Sequence, residues 1–441
     1  EHRNYAKISG EYLCGMQQKW ISGLSTTIVV LAGLSLFGWS VKQVSTGQST
    51  WPSWVQSPLK AFVGFIDLFE KAKEEVSALP ETFVLTPEDF SPINTLEEDV
   101  IILTSYHNQE NTRTIALINL RTGEELKTWT VDQLAVPQDR IIHSIMLPDS
   151  SLIYGLDWYS GLIRIDKNSQ RIWHQDSIIH HHGKNLAADS TIWACTYEKE
   201  EGKPLYYRPI FRTGMGTFPY LDNWITQIHA YSGEVLYHKS LTEILVENGL
   251  THLLVKSETP GDPIHVNDVE PALKDGPYFQ KGDLFISARN GSWIMQFRPG
   301  TGKVIRLLEG PFYSQHDVDI ESDSTLTVFN NNSLQNERPR PSKWPMSASS
   351  YEVGSYSSQA VRIYLNRPHM EVLDREVWEE NDLYSFTEGI VDALPGGGYF
   401  VEEQNSSVLW VIQDGVVRYK NVLPSHHPGY HHLANWARVM P

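Results

Sequence analysis

Cysteine is nearly absent from this chain. Its 441 residues include two, Cys14 and Cys195, with no C-x-x-C and no cysteine spacing of the zinc-binding kind, so cysteine organises neither a redox motif nor a metal site. Basic charge is scarce too: 36 Lys and Arg stand against 53 Asp and Glu, a net charge of −17. Phosphate binding needs a basic face, which argues against nucleic acid as a partner. Long apolar stretches are limited to one, and the helical signal disappears beyond residue 94. Aromatic residues are abundant instead, with 14 Trp and 20 Tyr, a density that suits sheets and pockets for flat ligands.

The long apolar run is ISGLSTTIVVLAGLSLFGWSV, residues 21–41. It carries no charge and is long enough to cross ~30 Å of hydrocarbon as a helix. Trp20 and Trp39 stand near its ends, where indoles favour the interface. The following WSVKQVSTGQ offers no Ala-x-Ala cleavage site, so residues 20–41 read as a retained single-pass transmembrane helix rather than a signal peptide. Arg3, Lys7 and Lys19 precede it, while Lys42 and Lys60 follow. That excess puts residues 1–19 in the cytoplasm and the large C-terminal part outside it, periplasmic or extracellular. Cys14 and Cys195 then lie on opposite sides and cannot pair. Residues 42–93 read as a linker and a juxtamembrane amphipathic helix, with Phe62, Ile66, Leu68 and Phe69 near helical spacing and an end before Pro80.

From residue 94 to 441 short apolar runs alternate with turns, and one pattern recurs: a turn with Asp or Gly, a strand, a gap, a second strand, another turn. FQKGDLFISARNGSWIMQFRPGTGKVIRLL is the clearest copy, and LPDSSLIYGLDWYSGLIRIDKNSQRIW and LPGGGYFVEEQNSSVLWVIQDGVVRYKN repeat it. Tight turns such as TGE, SGE and TGK suit hairpins. A lone four-stranded sheet cannot bury both faces, but radial stacking buries them and leaves few open edges. About six copies in ~350 residues predict an all-β, six-bladed β-propeller with long insertions. The near-regular period disfavours an array of β-sandwiches.

Three copies carry histidine just before the strand that holds the Asp or Gly turn: HHHGKNLAADSTIW (His180, His181, His182), DPIHVNDVEPAL (His265) and SQHDVDIESDSTL (His316). In a propeller, equivalent places in successive blades converge on the central channel. Arg289, in LFISARNGSW, ends an apolar strand where a surface cation is unexpected. Taken singly, each histidine reads first as a hydrogen-bonded turn residue, and His143 in IIHSIMLP occupies a similar place. Three histidines suit zinc or copper, but an arginine among them would repel a cation, so no metal and no other cofactor is expected. The His-rich tail SHHPGYHHLANWARVM reads as incidental.

The stretches HHHGKNLAADSTIW, HVND, LFISARNGSWIMQF, SQHDVDI with TLTVFNNNS, and the closing NWARV resemble, in order and spacing over residues 140–441, the bacterial arylsulfate sulfotransferases that do not use phosphoadenosine phosphosulfate. The resemblance implies a six-bladed propeller with its site in the channel. It implies His316 as nucleophile, with His265, Arg289 and His182 beside it as catalytic residues, and His181, Asn267 and Asp317 as residues that bind substrate. Where the family usually has an Asp-Asn-Gly turn after the nucleophile strand, this chain has FNNNS. The implied partners are a small aryl sulfate and a phenol, with transfer through a sulfohistidine. The apolar run and the insertions at 198–222 and 335–357 support an alternative: a catalytically silent propeller that binds within, or props up, a membrane protein complex.

Overall fold

Each T-G-E-type turn of the repeats closes a hairpin. Gly123, Gly233 and Gly302 hold φ of 74°, 75° and 66°, a left-handed conformation that glycine adopts without strain. Their N–H groups donate to Asn119, His229 and Arg298 carbonyls at 2.8, 2.9 and 3.0 Å, and each hairpin shifts register by a bulge. The structure is a computed structural model. It describes residues 29–43, 51–52, 55–59, 82–109, 112–131, 140–156, 161–199, 207–213, 216–257, 259–333 and 357–440. The chain divides into two compact units, Glu1–Leu79 and Pro80–Pro441.

Among its described residues the second unit contains six antiparallel sheets of four or five strands in sequence order, besides two two-stranded ones. Blade 1 joins Ile101–His107, Arg113–Asn119 and Glu124–Thr130 to the C-terminal strand Arg438–Val439. Blade 2 is Ile145–Met146, Leu152–Gly155, Leu162–Ile165 and Arg171–Gln175. Blade 3 is Ile178–Leu186, Thr191–Glu198, Trp224–His229 and Val235–Ser240, with the hairpin Tyr207–Thr213/Gly216–Leu221 inserted. Blade 4 is Val266–Pro271, Leu284–Ala288, Trp293–Arg298 and Lys303–Leu308. Blade 5 is His316–Ser322, Thr325–Asn330, Gln359–Tyr364 and His369–Val372. Blade 6 is Ile390–Ala393, Tyr399–Glu403, Val408–Gln413 and Val416–Val422, extended by Ile93–Asn94. Phe83–Leu85 pairs with Tyr430–His432.

The cores prove the ring. One cluster joins Leu103 and Ile115 of blade 1 to Leu152 and Ile163 of blade 2. Others join blades 2 and 3 through Ile153 and Ile192, and 3 and 4 through Trp193 and Ile286. Phe285 and Leu326 link 4 and 5, Phe329 and Val401 link 5 and 6, and Phe400 and Ile102 link 6 back to 1. Every sheet is thus sandwiched between two neighbours, as radial stacking requires. Second strands such as LFISA are buried along their whole length, whereas the outer strand EELKTWT of blade 1 is largely exposed.

In the first unit, residues 29–43 are helical. Residues 20–28 of the expected membrane helix, and residues 60–81 of the expected juxtamembrane helix, lie outside the described residues. Among the described residues no helix is long and apolar enough to cross a membrane.

Candidate active site

The chain enters or bends each innermost strand through a left-handed residue: Trp436 (φ 55°), His143 (50°), His182 (52°), His265 (50°), Asp317 (56°) and Glu388 (62°). Such backbone is costly for L-residues and gathers at functional sites. It also breaks the simple alternation of side chains along a strand. The first strand of blade 3 bulges between His180 and Lys184, and that of blade 5 between His316 and Val318.

Four blades deliver a packed set of rings. His182 Nε2 lies 3.1 Å from His265 Nε2. The His182 ring stacks on Trp436, with centroids 5.3 Å apart and an 11° interplanar angle. His316 meets His182 and Trp436 edge-on, both at 5.8 Å. His181 stands 3.9 Å from His182 and 5.0 Å from His265, centroid to centroid. The three histidines singled out in separate repeats therefore share one site on the channel.

His316 is fully buried, and burial followed by the charge of Arg289 lowers its pKa to about 3. Its ring is oriented by Asn331. The Asn331 Nδ2 donates to the carbonyls of Ser385 at 2.9 Å and Glu388 at 2.6 Å. That fixes the amide, so Oδ1 faces His316 Nδ1 at 2.6 Å and accepts its proton. The lone pair is left on Nε2, which is buried and has no hydrogen-bond partner among the described residues. Arg289 is held by its backbone, which donates to His265 O at 3.0 Å, and by Nη1, which donates to Asn290 Oδ1 at 3.2 Å. Its Nη2 is buried without a hydrogen-bond partner among the described residues, and burial lowers its pKa. A guanidinium nitrogen and an imidazole nitrogen, both buried without a hydrogen-bond partner among the described residues and linked by charge, form an arrangement that suits an anion.

His265 is oriented by Asp262, whose Oδ2 lies 2.6 Å from Nδ1. Burial alone would raise the Asp262 pKa, but the neighbouring His265 and the hydrogen bond from Asn223 hold it below the usual carboxylate value. Glu388 is likewise ionised. Burial opposes its charge, yet the Arg140 fork at 3.1 and 2.7 Å and the Trp436 indole at 3.0 Å bring its pKa to about 2. The side chains of Arg140, Asp262, His265 and Glu388 keep 23, 16, 16 and 14% of their exposure, and so mark the open side of the site.

Asn267 donates to the carbonyl of Gln315, the residue before His316, at 2.7 Å, and its Oδ1 has no hydrogen-bond partner among the described residues. Asp317, expected to bind substrate, is turned away from the imidazole, which Asn331 holds. Its carboxylate accepts the Val391 N–H at 2.6 Å and lies with Asp319 and Asp392 in a separate cluster, where burial and those neighbours push its pKa well up. His143 accepts from Arg438 at 2.7 Å, and Lys184 reaches His180 at 3.4 Å, so both histidines are tied into the structural part of the channel. Asp262, Asn331, Glu388, Arg140 and Trp436 were not marked by the repeat pattern; Asp262, three residues before His265, Asn331, in the departing FNNNS turn, and Trp436, in the closing NWARV, carried a local cue.

Among solved structures, the chain is similar to a protein of unknown function from Bacteroides caccae, at 11% identity over 78% of this chain and 99% of that one, with a TM-score of 0.48. It is similar to a chain of a nidogen/laminin complex at 9% identity, over 78% of this chain and 98% of that one, with a TM-score of 0.44. A catalytically inactive virginiamycin B lyase from Staphylococcus aureus, crystallised with quinupristin, matches at 11% identity over 77% of this chain and 89% of its own, with a TM-score of 0.38. No curated protein matches. The family model described as Arylsulfotransferase (ASST) matches residues 143–416. That span contains His182, His265, Arg289 and His316, and the chain belongs to the arylsulfotransferase (ASST) family.

Proposed function

We propose that this protein transfers a sulfuryl group from an aryl sulfate to a phenolic acceptor through a sulfohistidine at His316. One observation carries the reading: His316 Nε2 and Arg289 Nη2 are both buried, both without a hydrogen-bond partner among the described residues, and linked by charge. In the first half-reaction the Nε2 lone pair forms an N–S bond as the S–O bond to the aryl group breaks. The electron pair leaves on the phenolate, which takes up a proton. His316 keeps its Nδ1 proton on Asn331, so the sulfonated ring is cationic and remains a good leaving group. In the second half-reaction the acceptor phenol gives up its proton, its oxygen attacks sulfur, and the N–S bond breaks. Free imidazole is restored, which makes the cycle ping-pong. Negative charge on the sulfuryl oxygens in both transition states is matched by the Arg289 fork. His265, backed by Asp262, and His182 are placed to relay the phenol proton.

The run at residues 20–41 is read as a membrane anchor. Support comes from the helical residues 29–43, where Val29, Val30, Leu31, Leu34, Leu36, Phe37 and Trp39 are all exposed, a face that water disfavours and lipid accepts. The charge bias then places the propeller outside the cytoplasm.

The deciding experiment incubates the full chain with a chromogenic aryl sulfate and a phenol. Expected results are parallel-line ping-pong kinetics, little release without acceptor, and loss of transfer in His316→Ala. If wild type and His316→Ala are equally inert across a broad panel of sulfates, the propeller is instead a binding or structural subunit.

A further inference from the structure

The first hairpin of blade 1 brings an imidazole and a guanidinium together. His107 and Arg113 stand directly opposite each other where Ile101–His107 pairs with Arg113–Asn119. Burial, then the charge of Arg113, lowers the His107 pKa to about 4. Beside the pair is a small cavity, which Thr82 and Arg140 also line. We propose that this cavity binds one inorganic anion of halide size, held by Arg113, His107 and the Thr82 hydroxyl.

The lining has the chemistry for it. Two guanidinium groups and an imidazole meet there, and no carboxylate lines the cavity among the described residues. Thr82 Oγ1, on a residue 8% exposed, and His107 Nδ1 are both buried without a hydrogen-bond partner among the described residues. Polar atoms left so are costly. Both can donate to an anion, the imidazole as its neutral Nδ1–H tautomer. Guanidinium N–H groups supply charge-assisted bonds, which favour an anion over water at the same place. The walls are fixed beforehand. Asn435 donates to the Ser105 and Leu433 carbonyls at 2.9 and 3.2 Å and accepts from Arg140 Nε at 3.2 Å. Ser105 Oγ donates to the Ile141 carbonyl at 2.5 Å, and the Thr82 carbonyl accepts the Leu433 N–H at 2.8 Å. The space, ≈ 10 Å³, is that of about one water molecule, so a single-atom ion suits it and a sulfate does not. Glu388 offsets the charge of Arg140, which makes Arg113 the cation on which binding turns. His316, Arg289, His182 and His265 do not line the cavity, and the inference does not rest on sulfuryl transfer.

The test follows the NMR line width of chloride in the presence of the full-length protein, with bromide as displacer. A saturable broadening that bromide reverses is expected in the wild type. It should persist in Arg289→Gln, which removes the guanidinium of the candidate active site. Arg113→Gln should lose it, and Thr82→Val should weaken chloride binding about tenfold. A wild type without saturable broadening overturns the proposal, since water then fills the cavity. So does a folded Arg113→Gln with unchanged affinity. Loss of the whole effect in a folded Arg289→Gln overturns it too, because the chloride then sits beside His316. Should Arg113→Gln fail to fold, an unchanged affinity in Thr82→Val is equally decisive against it. Transfer without chloride binding would remove only this anion site, and chloride binding without transfer would remove only the sulfuryl reading.

Discussion

At the scale of single residues, the proposed nucleophile is defined by its neighbour. Two carbonyls hold the Asn331 amide, the amide holds His316 Nδ1–H, and the lone pair is thereby confined to Nε2. Replacing Asn331 with Leu frees the tautomer and leaves carbonyl oxygens unpaired. We expect kcat to fall on the order of 10²–10⁴-fold, by analogy with loss of an orienting carboxylate, with KM little changed and stability lower by about 1–3 kcal/mol. Burst kinetics and thermal denaturation measure the two effects. The same burial sets a pH signature. A histidine with its pKa lowered to about 3 stays neutral and nucleophilic well below pH 6.5. Burst rates of sulfuryl loading should therefore be flat from pH 8 to pH 5. An acid limb centred near 6.5 would show that His316 titrates as an ordinary exposed histidine and is not the buried nucleophile.

At the scale of elements, the ring is closed by a short strand that needs help. Arg438–Val439 pairs with Leu103 and Ile102 over two residues only, too few for a stable edge on their own. Glu402 of blade 6 supplies the rest: its two oxygens accept the N–H groups of Trp436 and Ala437, each at 2.7 Å. Burial raises the Glu402 pKa to about 7 despite those bonds, the mark of an acceptor held in a dry place. Trp436, fully buried, then stacks on His182 and donates to Glu388. Closure of the fold and construction of the site are one event. Glu402→Ala strands two buried N–H groups, at about 1–3 kcal/mol each. A fall in Tm with loss of activity is expected; an unchanged Tm would mean that blade closure does not rely on this clasp.

At the scale of the whole molecule, a substrate anion must reach a site in a chain of net charge −17. Arg140 and Arg289 give the site its local positive charge, in part offset by Glu388 and Asp262. The first unit carries the proposed anchor. Its exposed apolar helix, residues 29–43, predicts that the full chain pellets with membranes and resists carbonate extraction, whereas a chain beginning at Pro80 is soluble and keeps the propeller. Full-length protein that washes off at high pH would remove the anchor. The number of blades was legible in the sequence, because the blades repeat their turns, and so was the meeting of His182, His265 and His316, because three blades carry histidine at one relative place. The roles within the set were less so. Asp317 follows His316 directly, yet a bulge and strand alternation separate their side chains, and the residue that does orient the ring lies 15 positions away, after the next strand.

Local chemistry alone settled the hairpins, the six-fold repeat, the apolar run and the family, since each depends on neighbours a few positions apart. The contacts that give the site its chemistry join residues as distant as His182 and Trp436, or Arg140 and Glu388. Those pairings exist only once the last strand has joined the first blade, because ring closure is what brings the two ends of the chain to the same axis.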